Sequence, residues 1–170
     1  LWTDANSRAY RVNITPTAIG SSTLLGTLGN ATGANGDVGL FTDGVNWSLV
    51  RNSAAGVSTF SDGFAEAGGI ARGRTSILRV RRDNISIFAT RVYGQMVAYD
   101  GSAVTVPTFP IVSGGTPYGA PRVAFDGSYF DVVVSIDGLL QLLRIDESGA
   151  SVDAAPLVLA TDATGYQEEF

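Results

Sequence analysis

The stretch PRVAFDGSYFDVVVSIDGLLQLLRIDESGASVDAAPLVLAT, residues 121–161, decides how the chain is read, because it divides into four apolar-rich runs separated by three turn signals. The runs are 122–125, 129–136, 139–146 and 156–161. Between them stand Asp126-Gly127-Ser128, Asp137-Gly138 and Glu147-Ser148-Gly149. Asp-Gly between alternating apolar segments is a hairpin signal, since glycine accepts the positive φ that a tight turn demands. Successive hairpins of this length make a four-stranded antiparallel meander.

The remainder of the chain has a matching composition. Of 170 residues, 45% are hydrophobic and 16% charged, and 21 are glycine. Glycine-rich turns and β-branched runs such as Val132-Val133-Val134 favour short strands over helices, so the expected class is all-β. Segment 59–71 comes nearest to helical spacing, and Gly63, Gly68 and Gly69 interrupt it.

Cysteine and histidine are both absent. Their absence removes disulfides, thiolate nucleophiles, Ser-His-Asp triads, and zinc or haem sites built on thiolate or imidazole; no cofactor and no metal site is expected. All eleven cations are arginine, with no lysine, as in the codon usage of a high-GC bacterial genome. A net charge of -5 argues against general nucleic-acid binding, which needs a cationic face. No apolar run approaches the ~20 residues that a membrane-spanning helix requires, and no signal-peptide pattern is recognisable. A chain starting at Leu1 without methionine reads as a processed product or an excised fragment.

Degraded copies of the 121–161 pattern occupy the rest of the sequence. Setting Asp4 on Asp137 places Arg11 on Arg144 and Val12 on Ile145, all at an offset of 133 residues. Residues 1–27 then form a partial unit lacking its first strand, with a strand at 9–13, a turn at Thr15-Pro16-Thr17 and a strand at 22–25. Residues 27–37 read as a connection. The second unit covers 37–71, with strands at 38–41, 47–51, 56–60 and weakly at 69–71. The third covers 77–113, with strands at 77–81, 85–91, 95–99 and 109–112, and residues 162–170 open a further unit. The first-turn aspartates Asp43, Asp83 and Asp126 are spaced by 40 and 43 residues. Four strands repeating at about 42 residues predict β-propeller blades, each of which buries its faces on its neighbours. Four blades close a ring only with strain, so a partial propeller is expected, completed by missing blades of its parent or by a second copy of the chain.

Val123-Ala124-Phe125-Asp126-Gly127, Tyr129, Val132-Val133, Arg144-Ile145 and Pro156-Leu157, with Leu1-Trp2-Thr3-Asp4 and Arg11-Val12, resemble the degenerate propeller repeats of long secreted or surface proteins of bacteria such as myxobacteria. The resemblance spans the chain and is densest in the last unit. It implies a propeller or part of one, outside the cytoplasm, and no particular ligand. Phe125 to Asp131 is also similar to the calcium repeats of integrin-type propellers, but lacks their alternating carboxylates.

Three sets of residues are candidates for a site. Arg72, Arg74, Arg79, Arg81, Arg82 and Arg91 crowd one stretch with only Asp83 among them. Arginine forks suit planar oxyanions, so Arg79, Arg81, Arg82 and Arg91 are the candidate ligand-binding set, for an anionic glycan or an acidic protein. Alternatively, Arg79 and Arg81 alternate with Leu78 and Val80 along one solvent-facing side of a strand. Trp2, Trp47, Tyr118 and Tyr166 offer sugar-stacking faces or, by their recurrence at blade positions, core packing. The aspartates Asp43, Asp83, Asp100, Asp126 and Asp137 lie in turns, where the carboxylate caps its own backbone. Glu66, Asp131, Glu168 and Glu169 stand outside that pattern, and no two carboxylates are brought together by the sequence. The expected role is non-catalytic binding or scaffolding in a secreted or cell-surface protein. The alternative is part of a propeller enzyme using carboxylate chemistry, a glycoside hydrolase or lyase.

Overall fold

The structure, a computed structural model, describes residues 2–3, 8–11, 14–15, 18–19, 23–27, 30–35, 38–42, 46–51, 57–61, 68–86, 89–116 and 119–161. No helix occurs among them, and every strand pair is antiparallel. By internal contacts the chain divides into two units, Leu1–Ala65 and Glu66–Phe170.

In the first unit, β1 (Trp2–Thr3), β2 (Arg8–Arg11) and β5 (Thr23–Thr27) form one sheet, and β3 (Ile14–Thr15) pairs with β4 (Ala18–Ile19) where the sequence places a turn. A four-stranded meander follows: β6 (Asn30–Asn35), β7 (Val38–Thr42), β8 (Asn46–Arg51) and β9 (Val57–Ser61). Leu40 stands opposite Leu49 in this ladder, and both are buried together with Trp47. Trp47 is therefore core, not a sugar shelf. The side chain of Trp2 and all of Tyr118 and Tyr166 lie outside the described residues, as do Asp43, Glu66 and residues 162–170.

The second unit holds two further meanders. The middle one runs β10 (Gly68–Arg72), β11 (Ser76–Ser86), β12 (Ala89–Ala98), β13 (Val104–Ser113); the last runs β14 (Arg122–Phe125), β15 (Phe130–Ile136), β16 (Leu139–Ile145), β17 (Leu157–Ala160). The last four strands lie within one residue of where the turns place them. Their hairpin chemistry explains why. Ile136 pairs with Leu139 across a two-residue loop in which Asp137 and Gly138 have φ of 53° and 76°, and both positive values are what a tight hairpin following the strand twist requires. Asp126 accepts the N–H groups of Ser128 and Tyr129 at 2.6 and 2.7 Å, and Asp146 accepts N–H groups from Ser148 and Ala150. These aspartates are turn caps.

Upstream, the strands group differently from the sequence pattern. Residues 30–35, read as a connection, form the first strand of their sheet because β7 offers a ladder edge, and pairing overrides the weak strand propensity of Asn and Gly. Residues 69–71 do not close the second sheet but open the third: Gly73 N–H bonds Ser76 O at 2.8 Å and folds β10 directly back on β11. A local hairpin closes the shortest loop. Asp83-Asn84 is no turn either, since Asp83 pairs with Arg91 inside one long hairpin. First strands thus begin at Asn30, Gly68 and Arg122, 38 and 54 residues apart, and Asp83, inside a strand, and Asp126, in a turn, occupy inequivalent places.

The two sheets of the second unit stack face to face. Ala71, Leu78, Val80, Val92 and Met96 of the middle sheet meet Phe130, Val132, Val134, Ile136, Leu143 and Ile145 of the last, all buried. The first strands β10 and β14 lie against each other. Glycine at 69 permits this approach, because a Cβ there would stand 3.2 Å from Val123 Cγ1 and 3.3 Å from Pro121 O.

One end of the stack is clasped by Glu147, whose carboxylate accepts the Thr75 N–H at 2.9 Å and the Thr75 hydroxyl at 2.7 Å. Burial alone would raise its pKa, but the Thr75 groups and the N–H groups of Arg74 and Ser76 outweigh it and hold the carboxyl below its ordinary 4.5. A depressed pKa adds stability that is present above the unfolded-state value and lost as pH falls through the folded one. Glu147→Gln is expected to cost about 1 kcal/mol at pH 7. The gap between the two melting curves should close on acidification below about pH 4; a gap unchanged by pH would contradict the clasp.

Candidate functional site

Three members of the arginine set, Arg79, Arg81 and Arg91, share one face of the middle sheet by register, and Arg82 takes the other. On β11 the residues alternate, Leu78 and Val80 toward the core and Arg79 and Arg81 on the opposite face, but that face is not solvent: Arg79 and Arg81 are 3% and 7% exposed. Ile70, Ile77 and Val97 share the face and are buried as well, so this sheet has apolar residues out of water on both sides. The Arg81 guanidinium stands 5.4 Å from the ring centre of its cross-strand partner Tyr93, and exposed Arg91 donates to the Tyr93 hydroxyl at 3.1 Å. Arg82 belongs to the other side and donates to Gly119 O at 2.9 Å, holding the segment that links the two sheets. Burial turns Arg79 and Arg81 inward, and Arg91 is the exposed member of the four.

The last sheet differs from the middle one in having an outer face that is only partly covered among the described residues. Arg122, Ala124, Asp131, Val133, Leu140, Leu142 and Arg144 project there by register, opposite the core-facing set. The sequence signal is present in β16: Leu139-Leu140-Gln141-Leu142-Leu143 is apolar on both faces, as strands covered on both sides are. On the second face only Ser135 is buried among the described residues, and Leu140 and Leu142 stay partly exposed. At the far edge, Leu157 is 59% exposed.

A hollow of about 500 Å³ opens on this face. Leu142, Ala155, Pro156 and Leu157 give it an apolar wall, and Asp126, Asp131, Asp153 and Arg144 line the rest. Arg144 does not serve its cross-strand partner Asp131. Its Nη2 and Nε reach Asp153 at 2.6 and 3.2 Å, and its backbone N–H bonds the same carboxylate at 3.0 Å. Arg144 therefore holds the Asp153 carboxyl below the usual range, and Asp153 in turn pushes the arginine up. The N–H groups of Tyr129 and Ser128 likewise hold Asp126 down.

Asp131 is the exception. Burial and then the negative charge of Asp126 push its carboxyl above the ordinary value, and Arg144 only partly offsets them. Among the described residues no donor is hydrogen-bonded to it. Sequence reasoning sets Asp131 apart from the turn aspartates but gives no sign of Asp153, which reaches Arg144 only because 146–153 folds back beside β16.

No family model, no curated protein and no solved structure matches the chain. Among the described residues no helix is long and apolar enough to cross a membrane, and no group of three or more acidic side chains is arranged to hold a metal ion.

Proposed function

We propose that this chain is a non-catalytic segment of a β-propeller, serving a binding or scaffolding role in a secreted or surface-displayed bacterial protein. Its four-stranded meanders are the blades. The observation that carries the reading is the stacking of the two sheets of the second unit through their first strands, β10 against β14, with the fourth strand of the last sheet farthest out and exposed. Propeller blades stack in this way around an axis. The partly covered outer face of the last sheet is where the next blade belongs, from the rest of the parent protein or from a second copy of the chain.

Sedimentation velocity is expected to show reversible self-association that Leu142→Glu, on that outer face, abolishes without loss of the folded circular dichroism spectrum. A chain that stays monomeric at all concentrations, alone and with flanking segments of its parent, would contradict the proposed docking. Polysaccharide binding without release of reducing ends is expected for a module; product release would overturn the non-catalytic role.

A further inference from the structure

We draw no further inference here: the strongest candidate, the apolar edge strand β17 of the last sheet with its exposed Leu157, Val158 and Leu159, carries nothing, because nothing in the structure shows what covers it.

Discussion

Phe130→Ala is expected to lower the stability of the second unit by about 3–5 kcal/mol, the range for removing a fully buried aromatic ring. Phe130 is 0% exposed, sits in the core between the two stacked sheets, and leans on Phe125 with ring centres 5.0 Å apart and planes at 53°. Its ring edge also lies where a side chain at position 73 would go, beside the Glu147 clasp. Truncation therefore opens a cavity at the place where both sheets and the clasp meet, leaving little freedom for collapse. Urea unfolding followed by circular dichroism should show the loss, and hydrogen exchange should quicken along β14–β17. Both tryptophans, Trp2 and Trp47, lie in the first unit, so their emission provides a separate probe. A cost below about 1 kcal/mol would mean that the ring is not in the core.

Val132→Asp should be more damaging still. Val132 is 0% exposed and is the position in β15 that pairs with Val123 on one side and Leu143 on the other, both on the core face. A carboxylate there loses its hydration, gains no donor, and replaces a methyl pair at the centre of the sheet. The penalty is expected to reach about 5 kcal/mol at neutral pH, of the order of the whole stability of a small domain. The sign with pH is the reverse of that for Glu147. Desolvation raises the folded-state pKa of the new aspartate, so the variant should regain part of its loss as pH falls and the side chain becomes neutral. Equal destabilisation at pH 4 and pH 8 would contradict burial of the charge.

Legibility in the sequence followed the turn chemistry. In residues 121–161 each reversal carries its own signal, and Asp126 and Asp137 cap or make the turns that their positions announce, while Asp146, read as the end of its strand, caps the Glu147-Ser148-Gly149 turn. In the middle of the chain the signals are polar or small residues whose role depends on distant partners. Asn30–Asn35 is a strand only because β7 is beside it, and Gly69 is where β14 approaches, a role assigned by Val123 more than fifty residues away. Asp83-Asn84 has turn composition, yet the long β11–β12 hairpin carries the strand past it. The alternation of Arg79 and Arg81 with Leu78 and Val80 was readable, but alternation says which side a residue takes and not whether that side is wet. The hollow was half legible: Asp131 stood out for not being a turn residue and β16 for its two apolar faces, whereas the Arg144–Asp153 pairing exists only in three dimensions.

Stacking through the first strands is the claim on which the propeller reading and the partly covered outer face both depend. The chain has no cysteine, so a single engineered pair reports on it without interference. A Cβ at position 69 lies 3.2 Å from Cγ1 of Val123, close to disulfide range. Gly69→Cys with Val123→Cys should oxidise in air to an intramolecular disulfide in the monomeric fraction, while Gly69→Cys with Leu157→Cys stays reduced. Free thiols in the first pair under the same conditions, or ready closure of the second, would contradict the stacking of β10 on β14.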